Sequence, residues 1–359
     1  MFRDNPAPWY KSHNYHLTNV YGINANSWVQ WDLGKTAFGV EFRSENILSN
    51  VLGDDLDYPQ NVPGEVAEFT KSASRNIISL FIDHAVYINK FTITAGLMSN
   101  FISESNLGID VFPGFDASYN IIPELKIFTS FNTSLRMPTF TDLYYSGPTN
   151  IGNPNLNPEK SITIEGGLKL SQNFIQGHAV VFYRQGKDII DWVKMDDADV
   201  WQPQNLTQLN SLGAEMQIEF NLQKQFGNLF PNKLMFSYFY NNLEKVNFDF
   251  VSNYVLDNLK HKFVGSINQS IIKSVSINLN ISYQNREGTY TEFVDNNWGN
   301  EVKYKPFWMF DTKVNCNCTD LNIFVSINNI FDLSFNDIGN VTQPGRWIKA
   351  GISYKINIE

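Results

Sequence analysis

The sequence predicts an all-β fold, an antiparallel transmembrane β-barrel of about 15 strands. Three observations carry that expectation. First, apolar and polar residues alternate along most of the chain. Between Ser274 and Gln284, Val275, Ile277, Leu279, Ile281 and Tyr283 take one face, and Ser276, Asn278, Asn280 and Ser282 take the other. Successive side chains on a strand point to opposite faces, so this segment is a ribbon with one oily side and one wet side. Second, short turns and long polar loops follow one another in turn, as in barrels that cross an outer membrane. Third, aromatic residues reach 14%, with 28 Phe, 16 Tyr and 8 Trp, which suits girdles at two membrane interfaces.

The elements follow in order. Asn19 to Leu33 alternates through Tyr21, Ile23, Val29 and Trp31, and a tight turn comes at Gly34 and Lys35. The next ribbon sets Phe38, Val40 and Phe42 against Glu41, Arg43 and Glu45. A polar insertion is expected over 50–75. Alternation resumes at Ile78, Leu80 and Ile82, then at Phe91 to Leu97, Ile109 to Ala117 and Leu125 to Phe131. Further ribbons begin near Ile162, Met216, Leu234 and Leu321, and the last carries Ile348, Ile352, Tyr354, Ile356 and Ile358. Short connections are expected at Gly34, Asn89, Asn120, Gln172, Asn228, Lys273 and Thr319, and long ones at 50–75, 137–158, 193–207, 245–257, 285–301 and 332–344. The whole chain, 1–359, reads as one unit.

No run approaches the roughly 18 apolar residues of a spanning helix. A net charge of -9 without a basic cluster argues against nucleic acid as a partner. Cys316 and Cys318 stand two apart on one strand face, a poor geometry for a mutual disulfide. No nucleophile–base arrangement, paired catalytic carboxylates or phosphate loop is visible, so the chain reads as a non-enzyme that needs no cofactor. Asp54, Asp55 and Asp57 form an acidic run, read mainly as a solvated loop and only weakly as a calcium site. Candidate ligand contacts are the aromatics assigned to loops: Tyr144, Tyr145, Trp192, Trp201, Tyr290, Phe293 and Trp298. Flat rings suit large planar or sugar ligands. The competing role for each is interfacial anchoring or loop packing.

The stretch from Ser130 to Leu170 resembles the TonB-dependent outer-membrane receptors. The matching residues are Ser134, Arg136, Pro138, Asp142, Leu143 and Tyr144, then Gly152, Asn153, Pro154, Leu156, Pro158 and Glu159, and finally Glu165 and Gly167. Asn329 to Asp332, followed by Pro344, Gly345 and Arg346, also resembles that family. The nearest likeness is to cobalamin-receptor-type members of Bacteroidetes-like bacteria. The resemblance implies the carboxyl-terminal part of a 22-strand type barrel, with the plug domain, signal peptide and earlier strands expected outside this chain. It implies energy-coupled import of a scarce, bulky ligand such as a corrinoid or ferric siderophore across the bacterial outer membrane. The implied partners are outer-membrane lipid, the TonB–ExbB–ExbD system acting through the plug, the barrel-assembly machinery and a surface lipoprotein. Arg136 and Glu165 are expected to face the lumen, either binding a plug or neighbouring chain or joining a network in the wall. Two other readings stay open at this point: a self-contained passive porin of even strand number, and a soluble β-rich surface-binding protein.

Overall fold

A computed structural model describes residues 13–103, 110–195, 200–227, 231–245, 250–252, 258–294, 297–337 and 341–356. The strands are β1 (His16–Trp31), β2 (Gly34–Ser49), β3 (Asp54–Asn61), β4 (Glu68–Ile88), β5 (Phe91–Ile102), β6 (Asp110–Ile122) and β7 (Leu125–Arg136). After the short helix α1 (Phe140–Tyr144) come β8 (Glu159–Ser171), β9 (Ile175–Met195) and β10 (Gln202–Asn221). A second short helix, α2 (Leu222–Phe226), leads to β11 (Lys233–Lys245), β12 (Phe250–Ser252), β13 (Leu259–Ile272) and β14 (Val275–Arg286). The remainder is β15 (Thr289–Val294), β16 (Asn297–Lys303), β17 (Phe307–Cys318), β18 (Leu321–Asn328) and β19 (Trp347–Tyr354).

Seventeen of these strands form one antiparallel sheet, and β15 and β16 pair as a separate hairpin. Among the described residues of the large sheet, β3 pairs only with the loop-side end of β4, and β12 only with that of β9. The other 15 strands make the wall, each hydrogen-bonded to the next from β1 through to β19. The expected strand number is therefore met in the wall. Among the described residues, β1 pairs only with β2 and β19 only with β18, so the sheet is open.

One face of this wall is apolar and lies open. Reading across the register from the β4 turn, Ile88, Phe91, Tyr119, Ile127, Leu168, Ala179, Met216, Tyr238, Phe263, Tyr283 and Trp308 face one another in succession. Leu168 is 44% exposed, Met216 47% and Trp308 49%, although a soluble protein buries such a face. The row starts beside a short turn, at Ile88, and ends beside a long connection, at Trp308. That climb is the stagger of strands tilted against a barrel axis.

The sheet also curls. Strands β4 and β9 are five positions apart, roughly 24 Å in a flat sheet at about 4.8 Å per step. Yet Phe140 lies 5.3 Å from the Arg75 guanidinium of β4, while Asp142, two residues on, takes a hydrogen bond from Trp192 of β9. Only a wall bent around the polar face brings both within reach of one helical turn.

Several boundaries differ from the sequence expectations. Much of the 50–75 insertion is strand, because β3 and the first turns of β4 extend the sheet beyond the loop rim. The 193–207 region is mostly β9 and β10, and 285–301 holds the β15–β16 hairpin. The turn expected at Asn120 falls at residues 123–124, after β6, and the turn expected at Gly34 falls at 32–33. Polar residues misled these assignments because strands that stand clear of a membrane carry polar side chains on both faces. Ile109, Asn228 and Ile358 lie outside the described residues. Asn89 and Thr319 both adopt left-handed φ values, 54° and 51°, which suit tight two-residue hairpin turns.

Candidate functional site

The site is built by the 137–158 connection, which folds inward over the polar face. Thr139 caps α1. Its Oγ1 accepts from the Asp142 backbone N–H at 3.1 Å, and its own N–H donates to Asp142 Oδ2 at 3.0 Å, a reciprocal capping box. Asp142 is thereby buried, and its Oδ1 accepts from the Trp192 indole at 3.0 Å. Tyr145 meets Trp192 edge to face at 6.5 Å, and Phe140 stacks with Tyr144 at 6.4 Å. Ile47, Leu52 and Ala73 form a buried cluster on which Phe140, Tyr144 and Tyr145 pack.

Backbone bonds finish the fold of this connection. The Asn153 N–H donates to Asp142 O at 2.8 Å, and the Gly152 N–H donates to Tyr145 O at 2.6 Å. A Cβ at Gly152 would stand 2.8 Å from the Leu143 carbonyl and from the Tyr145 nitrogen. Glycine is needed here for close approach of two backbones. We expect Gly152→Ala to open the connection, read as faster amide exchange at 142–145 with the wall strands unchanged. Asn153 Nδ2 donates to Pro203 O, and Asn205 clamps Asn157 O at 2.9 Å and Asp188 O at 2.7 Å.

Two ion pairs anchor the connection to the wall. Arg136 closes on Glu159, its Nε donating to Oε2 at 2.7 Å and its Nη2 to Oε1. Glu159 Oε1 also accepts from the Ile190 N–H at 2.8 Å, and its side chain is almost fully buried. On the far side, Arg75 bonds Glu45 at 2.5 Å and donates to Pro138 O at 2.9 Å. Arg136 thus pairs with Glu159, not Glu165. Glu165 lies on the same face lower down, across Ser130 from Asp116.

Between the connection and strands β8–β11 lies a cavity of about 740 Å³. It is lined by Arg136, Asp142, Glu159, Asp191 and Trp192 above and by Phe182, Arg184, Ser211, Phe239 and Asn241 below. Of the sequence-predicted aromatics, Trp192 lines this cavity, and Tyr144, Tyr145 and Trp201 lie around the connection outside that lining. Tyr144 lies on α1, Tyr145 just after it and Trp192 on β9, while Trp201 bridges to Asn150 with Lys194 over its ring. Tyr290, Phe293 and Trp298 belong instead to the separate hairpin. Tyr290 packs on Tyr304 at 5.1 Å, and Phe293 and Trp298 are backbone partners whose side chains fall outside the described part. Asp54 and Asp57 of β3 stand exposed, Asp55 bonds Lys71 at 2.7 Å, and no three metal-ligating side chains converge among the described residues. Cys316 and Cys318 are free thiols with sulfurs 3.6 Å apart.

Sequence reasoning missed two contributors, Arg75 and Arg184, and named Asp142 without its role. Arg75 was hidden in a segment taken for loop. Its signal was parity, since Glu45 and Arg75 each continue the polar face of their ribbon and meet in register. Asp142 stood in the family-like motif, but its burial had no local signal, because it depends on where Trp192 arrives. Arg184 continues the polar parity of β9, facing Thr163 and Ser211. The second motif, by contrast, is explained by its bonds. Asn329 accepts and donates to Leu333 at 2.8 Å, and Asp332 accepts from the Arg346 N–H at 2.6 Å, which closes the 329–346 connection.

An open-faced antiparallel β-wall of this size has the architecture of a membrane-spanning β-barrel. The family model described as TonB dependent receptor-like, beta-barrel matches residues 2–330, and the chain belongs to that family. Among curated proteins it is 28% identical over 197 residues to the vitamin B12 transporter BtuB of Vibrio vulnificus, covering 54% of this chain and 29% of that protein. It is 30% identical over 106 residues to BtuB of Photobacterium profundum, covering 29% of this chain and 17% of that one. Among solved structures, the ferric enterobactin receptor PfeA of Pseudomonas aeruginosa superposes with a TM-score of 0.69 at 14% identity, covering 94% of this chain and 54% of that one. The FrpB iron transporter of Neisseria meningitidis gives 0.69 at 13% identity, covering 95% and 55%. These likenesses show the shared fold. The chain spans about half the length of the solved receptors and under a third of the first curated relative.

Proposed function

We propose that this chain is the barrel wall of an outer-membrane receptor that imports a scarce, bulky ligand, a corrinoid or a ferric siderophore, with energy delivered through TonB–ExbB–ExbD. The observation that supports this most is the inward fold of the 137–158 connection, which together with β8–β11 forms a cavity lined by aromatic and charged groups. A passive porin needs an open channel, whereas a receptor needs a place to hold its ligand. The relatives named as vitamin B12 transporters favour a corrinoid. Our proposed ligand contacts are Trp192 at the cavity, Tyr144, Tyr145 and Trp201 around the 137–158 connection, and Tyr290, Phe293 and Trp298 on the separate β15–β16 hairpin. Arg136 and Glu159 brace the site, and Glu165 faces the lumen below it, open to a plug or partner chain. Outer-membrane lipid surrounds the apolar face, the barrel-assembly machinery inserts the chain, and a surface lipoprotein is a further proposed partner.

The test is uptake of radiolabelled cyanocobalamin by cells whose only corrinoid receptor is the complete reading frame containing this chain. We expect accumulation that a protonophore abolishes. Accumulation unaffected by the protonophore would point to a passive pore. Absence of corrinoid uptake together with ferric siderophore uptake would move the ligand assignment to iron.

A further inference from the structure

The apolar face of the wall ends in a positive spot. Of the residues that the described register places on that face, Lys160 of β8 and Lys187 of β9 are the only lysines or arginines, and they stand directly opposite each other. Below Lys160 the same face of β8 runs through Ile162, Ile164, Leu168 and Leu170. Between Leu170 and Lys160, a strand climbing about 3.3 Å per residue at a tilt of about 40° rises roughly 25 Å, the height of the apolar band of an outer-membrane barrel. Both lysines therefore stand at the upper edge of the lipid, on the side of the long connections, which face outward.

Like charges directly opposite each other on neighbouring strands destabilise a sheet. Only one of the two is relieved within the protein. Lys160 bonds Asp110 at 2.7 Å, whereas Lys187 is exposed and no described residue pairs with it. A cavity of about 240 Å³ beside them is lined by both lysines, Asp110, Gln185, Val111 and Ile162, among others. Its lining carries two cations against one anion, and that anion is already bonded. Asp188, next in the chain, and Glu244, two strands on across Asn210, lie outside the lining. The neighbours at this height are neutral amides. Gln185 faces Asn210, Lys187 faces Gln208, and Gln208 Nε2 donates to Asn210 Oδ1 at 2.9 Å. Cations, amides and a hydrocarbon wall thus meet at one depth, which matches a lipid headgroup with a phosphate, sugar hydroxyls and acyl chains. We propose that Lys160 and Lys187 hold the phosphate of a phosphorylated glycolipid of the outer leaflet, with its sugar on Gln185, Gln208 and Asn210 and its chains against Ile162 and Ile164. A soluble anion would leave the apolar part of the lining uncovered. The proposal rests on the reading of the apolar face as the lipid face, which lysine substitutions on β14 test separately.

The test is native mass spectrometry of the complete receptor, released from neutral detergent micelles after equilibration with one lipid at a time. The probes are lipid A carrying both phosphates, the same glycolipid without them, and phosphatidylglycerol. We expect the phosphorylated glycolipid to be retained about tenfold more than either of the others, the scale of two lysines at an anionic membrane surface when one is shared with a carboxylate. Lys187→Gln should weaken retention about fivefold and the double variant Lys160→Gln/Lys187→Gln about twentyfold, while Lys187→Arg keeps it. Lys169→Gln, on the polar face of β8, should change nothing. Heat-modifiable migration verifies that each variant is folded. The proposal is overturned if the phosphate-free glycolipid or phosphatidylglycerol is retained equally, if the double variant keeps the preference, if Lys169→Gln weakens retention as much as Lys187→Gln, or if inorganic phosphate alone displaces the lipid. Lipid retention is read without an imported ligand or an energised membrane, so failure here leaves the uptake reading standing, and a failed uptake assay leaves this result intact.

Discussion

Leu279→Lys is expected to cost about 2–4 kcal/mol of folding stability in a bilayer, the range for a lysine placed on the lipid face near mid-depth. Asn280→Lys, one residue further, is expected to cost almost nothing. The two positions are adjacent on β14 but belong to opposite faces. Leu279 lies between Ile267 and Thr312 on the exposed apolar side, 40% accessible. Asn280 lies between Ser266 and Asp311 on the polar side, where a new ammonium gains a carboxylate neighbour. Desolvation without a partner drives the first cost, and water and Asp311 remove the second. The measurement is the folded fraction in urea titrations with lipid vesicles, read by heat-modifiable migration. Equal costs, or a larger cost for Asn280→Lys, would mean that the polar face is the one removed from water, and the membrane wall would have to be turned inside out.

Glu159→Gln should release the 137–158 connection while sparing the wall. Removing the carboxylate charge leaves Arg136 without its ion-pair partner and weakens the acceptor of the Ile190 N–H. Breaking a fully buried pair costs about 3–5 kcal/mol, but Arg136 is half in solvent, so about 2 kcal/mol is expected here. At that size, amide exchange at residues 139–145 and 189–192 should accelerate about thirtyfold, since about 1.4 kcal/mol is a factor of ten. The strands β13 to β19, remote from this pair, should exchange as before. Uniform acceleration would show that the pair holds the wall itself. Trp192→Phe is the milder companion. It deletes the indole donor to Asp142 but leaves the Thr139 bonds, so about 1 kcal/mol and a several-fold acceleration confined to 139–145 are expected.

The alternating strands were legible because a wall one residue thick writes its two environments into the chain with period two. Ile277, Leu279 and Ile281 faced one solvent and Asn278 and Asn280 another, and no long-range contact was needed to tell them apart. The loop-side ends were less legible. β3 meets water on both faces, whereas the start of β4 and the β9–β10 tips bury Phe69, Ala73, Ile189, Ile190 and Val193 without strict alternation, so the pattern that marks a strand disappears while the hydrogen bonds persist. Parity put Arg136 on the polar face of its ribbon but could not choose its partner. Glu159 and Glu165 share that parity, and only the β7–β8 register sets Arg136 directly opposite Glu159.

The sequence by itself determined that this chain is an antiparallel β-wall with one oily and one wet face, because alternation is a local property and survives without knowledge of any neighbour. Tertiary structure alone decided what stands inside it. The burial of Asp142, the brace from Arg75 to Pro138 and the cavity beside Arg184 arise where strands distant in the chain are brought together by curvature, and curvature is a property of the whole sheet, not of any segment of it.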